Sequence, residues 1–240
     1  MINSLAIPKY EIDKKGFSII NHVYKKEEIA EIIKWIDKTS SEKENFRKHK
    51  DLFAIRQFLK EIPETHELIF NNNLRKIINE IFGNNYFIIK SIYFDKPETS
   101  NWYVAYHQDL TISVKNKVAL DGFINWTKKQ NLIAVQPPIE ILENIYTIRI
   151  HLDDTDENNG ALKVIENSHL REIYRPESVD WQKTKETICP VKSGGIMLMK
   201  PLTLHSSNRT INNQKRRVLH IEFSNITLPD KLEWAEGQAI

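Results

Sequence analysis

The sequence predicts an α+β protein in which helices come first and buttress a β-sandwich or barrel that follows. Helical periodicity dominates the first third of the chain. From Asn85 onward, short segments rich in aromatic and β-branched residues take over. No linker divides the two parts, and 240 residues are enough to bury a core without staples. The expected organisation is one domain over residues 1–240. Residues 1–84 form a mainly helical buttress, residues 85–225 the β core, and residues 226–240 a C-terminal tail.

The elements follow in order. Ile29, Ile32, Ile33 and Ile36 mark one face of a 3.6-residue period, so Tyr24 to Ile36 reads as an amphipathic helix. A polar stretch runs from Thr39 to Lys50. Further helical pieces are expected at Phe53 to Leu59, Glu64 to Phe70 and Leu74 to Phe82, the last stopped by Gly83. Strands are expected at Tyr86 to Phe94, Trp102 to His107, Ile145 to Leu152, Ala161 to Ile165, Thr187 to Val191, Ile196 to Met199 and Arg217 to Phe223. Asn158-Asn159-Gly160 is read as a hairpin turn. Gly122 to Glu143 has aromatics but no period and is broken by Pro137-Pro138, so it is expected as a long loop covering a site.

Composition narrows the function classes. A net charge of +2 gives no reason to expect a nucleic-acid or anionic-membrane partner. The single cysteine, Cys189, excludes an internal disulfide framework and fits a reducing compartment. No secretory signal is legible in Met1 to Pro8, and no apolar run reaches the roughly 18 residues that span a bilayer. A soluble cytoplasmic protein is the expectation.

Three residues carry the chemistry: His107, Asp109 and His205. Residues i and i+2 of an extended segment share a face, so His107 and Asp109 can reach one metal while Gln108 points away. A distant histidine completes the set only if the sheet folds back on itself, as a barrel or jelly roll does. Two neutral imidazoles and one carboxylate leave a divalent metal with residual positive charge and open positions. His-x-Asp alone arises often by chance, so its surroundings decide. Arg216 and Arg217 follow eleven and twelve residues after His205, in a segment that reads as a strand. Alternation sends one of them inward, and a buried guanidinium is costly unless it meets an anion. A triad with an inward arginine one strand away suits a dicarboxylate that chelates the metal at one end.

With these residues in place, the chain resembles the phytanoyl-CoA dioxygenase family of Fe(II)/2-oxoglutarate oxygenases. The matching motifs are Lys96-Pro97 through Asn101-Trp102 to His107-Gln108-Asp109, Leu152-Asp153-Asp154 leading to Asn159-Gly160-Ala161-Leu162, Ser168-His169, and His205 with Arg216. They cover roughly residues 85 to 225. The resemblance implies a double-stranded β-helix, or jelly roll, with helices packed outside. It implies Fe(II), the cosubstrate 2-oxoglutarate and O2, with hydroxylation of a small molecule, of the secondary-metabolite kind. It implies His107, Asp109 and His205 as catalytic iron ligands and Arg216 as partner of the distal carboxylate of 2-oxoglutarate. Ser207 and Trp126 fall near positions that line the cosubstrate pocket. One departure is Glu166-Asn167 where the family has Pro-Gly before Ser-His. Asn tolerates positive φ, so the turn can survive. His169 is then a structural residue. The presence of Asp109 argues against a halogenase, in which that carboxylate is missing.

Lys90 and Arg149 sit in otherwise apolar strands and are candidate substrate-binding residues; a lysine reaching a strand edge or an arginine facing solvent is the plainer alternative for each. Arg56 is a weaker candidate. Trp102 and Trp126 have core packing as their common fate. His151, His220 and Cys189 carry no assignment. An alternative function is a catalytically silent jelly roll that binds metal or 2-oxoglutarate as a sensor.

Overall fold

The structure is a computed structural model that describes residues 5–39, 46–49, 52–98, 102–129 and 132–240. Residues 1–4, residues 40–45 and 50 of the polar stretch, Asn101, and residues 130–131 of the expected loop lie outside that set. The elements in chain order are α1 (Ala6–Lys15), β1 (Phe17–Ile20), α2 (Lys26–Lys38), β2 (Phe46–His49), β3 (Leu52–Arg56), α3 (Phe58–Glu61), α4 (His66–Ile69) and α5 (Asn72–Ile81). They continue as β4 (Phe87–Lys96), β5 (Val104–His107), β6 (Ile112–Val114), β7 (Ile124–Lys129), β8 (Leu132–Gln136), α6 (Ile139–Glu143), β9 (Tyr146–His151), β10 (Leu162–Ile165), β11 (Glu186–Cys189), β12 (Ile196–Met199), β13 (His205–Ser207) and β14 (Arg216–Ser224).

Two antiparallel sheets make the jelly roll. The larger has the order β1-β12-β9-β14-β4-β3-β2 and the smaller β11-β10-β13-β5. Strand alternation divides the large sheet by chemistry. Ile148, Ile150, Leu198, Leu219, Ile221 and Phe223 face outward and pack under Ile32, Ile36, Phe70, Leu74, Ile77 and Ile78 of the helices. Burying such side chains is worth roughly 1.5–3 kcal/mol each. The inner faces meet in a small apolar cluster that includes Leu162, Val164, Cys189, Met197 and Met199. The rest of the inner face is polar, and that is where the site lies.

The helices start where local chemistry permits. Glu28 accepts from the backbone N–H of Lys25 at 2.7 Å to open α2, and Asn71 caps α5 by accepting from the Leu74 N–H at 2.9 Å. The expected helix at Phe53 to Leu59 is instead the strand β3 followed by the short α3. β3 pairs with β4 from Phe53↔Asp95 to Arg56↔Ile92, and Gln57, at φ 51°, turns the chain into α3. Tertiary pairing overrides the local pattern here. The Asn158-Asn159-Gly160 turn does not make a hairpin, because β9 and β10 belong to different sheets; it carries the chain from one sheet to the other. Asn167 does take the left-handed conformation, at φ 64°.

Gly122 to Glu143 is not a structureless loop. It holds β7, β8 and α6, and β6, β8 and β7 form a three-stranded sheet over the mouth of the jelly roll. Residues 226–240 are woven into the same region. Ala235 donates its N–H to Ser113, Val114 bridges to Trp234, and Gln238 bridges to Ile88.

Candidate active site

His107 and His205 are cross-strand partners on β5 and β13. Two residues on, Asp109 is fixed by its N–H donating to the Pro201 carbonyl at 2.9 Å. Gln108 points the other way, as alternation requires. Its amide donates to the Glu172 and Leu202 carbonyls and accepts from the Tyr174 N–H, which ties three loops behind the site. His107 Nε2 lies 3.8 Å from Asp109 Oδ1, and His205 Nε2 lies 3.9 Å from Asp109 Oδ2. Two donors on one ion stand at most about 4.2 Å apart, twice a metal–nitrogen bond of about 2.1 Å. Both histidine–aspartate separations fall inside that limit, and one donor atom from each of the three residues lies within 4.8 Å of the others, a grouping that can hold an ion.

The tautomers fit as well. His107 Nδ1 lies 2.9 Å from the Ala105 carbonyl and His205 Nδ1 2.8 Å from the Thr203 carbonyl. A carbonyl only accepts, so Nδ1 carries the proton on both rings, and both Nε2 lone pairs are free to bind a cation. Asp109 Oδ2 is buried without a hydrogen-bond partner among the described residues. Burial alone would raise the Asp109 carboxyl. When protonated, the rings of His205, His220 and His107, together with Lys90, outweigh it and hold the group down to about 2; a bound cation takes the place of those protons. Burial pushes His205 down to about 4, against the pull of Asp109. An anionic carboxylate and two neutral imidazoles are the protonation states that a metal needs.

The triad opens into a cavity of about 420 Å3. Arg216 lines it, buried at 8% exposure, while its neighbour Arg217 turns away and holds Asp153 with two nitrogens at 2.9 and 2.7 Å. Arg216 donates to the Gly160 carbonyl and keeps a buried Nε without a partner among the described residues. Burial, reinforced by the nearby Arg149, lowers its guanidinium to about 9. Ser207 lines the same wall and donates to the Gly160 carbonyl at 2.9 Å. Gly160 is required here by its φ of 86° and by space. A Cβ would lie 2.7 Å from the Asn208 carbonyl oxygen and 2.9 Å from Lys96 Nζ. Gly160→Ala is expected to cost about 2 kcal/mol and lower the Tm by roughly 4–8 °C in a thermal melt, and to weaken cosubstrate binding by displacing Arg216 and Ser207.

Arg149 faces inward on β9, and Lys90 faces inward on β4. Lys90 is already paired with Glu222 at 2.8 Å. Arg56 and Trp102 also line the cavity. Trp126 does not. A bulge in β7 between Ile124 and Thr127 turns its indole into the apolar cluster under the small sheet. There it donates to the Phe123 carbonyl at 3.1 Å, and Thr127 reaches the cavity instead. His169 lies outside the cavity, with Nε2 3.2 Å from the Asp13 carbonyl oxygen.

The sequence reading missed four residues. His220 and Glu222 share the inward face of β14 with Arg216, so their placement followed from the same alternation. Lys96, quoted only as part of a motif, is buried beside Arg216, where burial and then that guanidinium lower it to about 7. Glu236 lines the cavity from the segment expected to be a tail and accepts from the Ser91 N–H and hydroxyl. Burial raises its carboxyl to about 7 against those hydrogen bonds.

Comparison with known proteins identifies the family and the fold. The sequence profile of the phytanoyl-CoA dioxygenase (PhyH) family matches residues 12–218. None of the curated protein sequences compared matches the chain. Among solved structures, the non-haem alpha-ketoglutarate-dependent carbocyclase SnoK from nogalamycin biosynthesis superposes with a TM-score of 0.71 at 15% identity, covering 98% of this chain and 88% of that one. EctD from S. alaskensis, solved with 2-oxoglutarate and 5-hydroxyectoine, gives 0.70 at 16% identity, covering 93% and 78%. HygX from Streptomyces hygroscopicus, solved with nickel, 2-oxoglutarate and hygromycin B, gives 0.64 at 13% identity, covering 91% and 86%. At such identities the likeness is one of fold. The jelly roll, the metal-competent triad and the inward arginine define a non-haem iron oxygenase that uses 2-oxoglutarate and O2. The family match makes the assignment specific: the chain belongs to the phytanoyl-CoA dioxygenase family.

Proposed function

We propose that His107, Asp109 and His205 bind the catalytic Fe(II), that Arg216 and Ser207 hold the distal carboxylate of 2-oxoglutarate, and that the enzyme hydroxylates a small polar molecule. The observation that carries this is the matched state of the triad: two proton-free Nε2 atoms and an unpartnered carboxylate oxygen aimed at one point. Bound there, iron and 2-oxoglutarate would supply the oxidising power drawn from O2. The protein's own contribution is placement and exclusion of water. Backbone carbonyls orient both imidazoles, Asp109 N–H is pinned to Pro201, and Arg216 with Ser207 fixes how deep a dicarboxylate can sit. The small sheet and the C-terminal segment cover the mouth.

The cavity supports a small substrate. Its volume lies at the low end of the ~300–1,000 Å3 typical of ligand sites and must also hold the cosubstrate. Thr111, Ser113, Thr127, Arg56 and Glu236 give its lining hydrogen-bonding character. The Lys90–Glu222 pair presents a polar, charge-balanced wall. Such a lining favours a hydroxylated or zwitterionic metabolite over a long acyl chain. The solved relative with hygromycin B supports the secondary-metabolite reading. Residues 1–240 are read as serving this one site, with a small molecule as the partner, neither nucleic acid nor membrane. The one cysteine, buried and unpaired, supports a cytoplasmic setting; no helix among the described residues is long and apolar enough to cross a membrane.

The test is release of succinate when protein loaded anaerobically with Fe(II) and 2-oxoglutarate is exposed to O2. Wild type should release it slowly even without substrate, and His107→Ala should not. Equal release by both would overturn the proposal.

A further inference from the structure

Arg149 is the buried cation in the cavity that the proposed function leaves without a task. It lies on the inner face of β9, with His220 of β14 and Met197 of β12 as its cross-strand partners. Its guanidinium is buried, and NH1 lies 3.1 Å from His220 Nδ1. The His220 ring in turn lies 3.0 Å from Glu222 Oε1 through Nε2. A guanidinium only donates, so Nδ1 accepts and Nε2–H donates to the carboxylate. Glu222 also accepts from Lys90. The negative charge on this wall is therefore spent on Lys90, and none is left for Arg149. Among the described residues no carboxylate forms an ion pair with Arg149, and its Nε is buried without a partner. A desolvated guanidinium with an orphaned N–H is expensive unless a ligand completes it.

Its position says which ligand. His220, which anchors Arg149, has a ring nitrogen within 4.8 Å of an Asp109 carboxylate oxygen. Arg149 thus sits against the metal side of the cavity. The distal end is furnished separately by Arg216, Ser207 and Lys96, all gathered at Gly160. A 2-oxo acid that chelates a metal uses its keto oxygen and one carboxylate oxygen. Its second carboxylate oxygen is left over in a dry site and needs a donor.

We propose that Arg149 binds the carboxylate at the keto-acid end of 2-oxoglutarate, as a positioning residue that fixes how the chelate is turned on the metal. This replaces the expectation of a substrate-binding role for Arg149, and it rests on the reading of the triad as the iron site. Arg149 and Arg216 then divide the cosubstrate between them, one cation to each carboxylate. Arg149 feels the charge of Asp109 on one side and itself bears on Arg216 on the other, in keeping with a place between the two ends.

The test separates the two ends with two acids. Fe(II)-loaded protein is titrated anaerobically with 2-oxoglutarate and with 2-oxopentanoate, which has the same keto-acid end and no distal carboxylate. The charge-transfer absorption of the iron–keto-acid chelate reports binding. Arg149→Gln is expected to weaken both acids by a similar factor, ~10- to 100-fold for a lost charge-assisted hydrogen bond. Arg149→Lys, which keeps the charge and loses the fork, should weaken both by less. Arg216→Met should weaken 2-oxoglutarate alone. Unchanged affinity of Arg149→Gln for 2-oxopentanoate overturns the inference, whether or not 2-oxoglutarate is affected. Where Arg149→Gln fails to fold, Arg149→Lys is judged by the same criterion. Absence of the chelate band in wild type would instead overturn the iron site itself.

Discussion

Asp109→Ala is expected to abolish 2-oxoglutarate turnover while leaving the fold in place. Asp109 is the one anion of the triad, and Lys90, with the surrounding imidazoles when they are protonated, acts to keep it charged. Removing it leaves two neutral imidazoles facing a divalent ion. The loss of metal affinity should exceed the ~10–100-fold that follows from disturbing groups one layer out. The side chain belongs to no apolar cluster and is a quarter exposed to the cavity, so no packing is lost with it. Iron content after gel filtration, succinate release and far-UV circular dichroism check the three parts together. A variant that is unfolded, or one that still turns over, contradicts the assignment.

Arg216→Met is expected to raise the KM for 2-oxoglutarate at least ~30-fold with little change in iron content. Truncating one partner of a buried charge pair costs about 2–5 kcal/mol, and about 1.4 kcal/mol is a factor of ten. The methionine retains much of the arginine's volume, so the strand pairing of β14 with β4 survives. Uncoupled succinate release measured against 2-oxoglutarate concentration gives the shift directly. The contrast with Arg217 is informative. Arg217 spends its guanidinium on Asp153 outside the cavity, so its replacement should affect stability and leave the KM alone.

Much of the site was legible because strand alternation is a strict rule. His107 and Asp109 share a face, Gln108 does not, and of Arg216 and Arg217 only one looks inward. The same rule, carried two and four residues further along β14 from Val218, would have found His220 and Glu222. What stayed hidden depends on contacts remote in sequence. Phe53 to Leu59 has an apolar pattern that suits a helix, and only β4 beside it makes a strand of its first half. The bulge that turns Trp126 away from the cavity is a backbone event with no residue signature beyond Asn125 at φ 55°. α1 carries a proline in its first turn and has Ile12 as its only fully buried side chain, so it shows no amphipathic stripe. Glu236 was lost for another reason. A short terminal segment without periodicity gives no sign that it will be threaded beside β6 and β4 to line a cavity.

The central claim is that one metal sits between His107, Asp109 and His205. The structure contains a competing set, since Asp109, His220 and Glu222 also bring donor atoms within 4.8 Å of one another. Glu222 and His220 are engaged with Lys90 and Arg149, which argues against that set. Anomalous diffraction at the iron edge from an anaerobic crystal with Fe(II) and 2-oxoglutarate decides between them. The account predicts a single peak within bonding distance of both Nε2 atoms and of Asp109, with the cosubstrate reaching from it to Arg216. A peak on His220 and Glu222, or none at the triad, would contradict it.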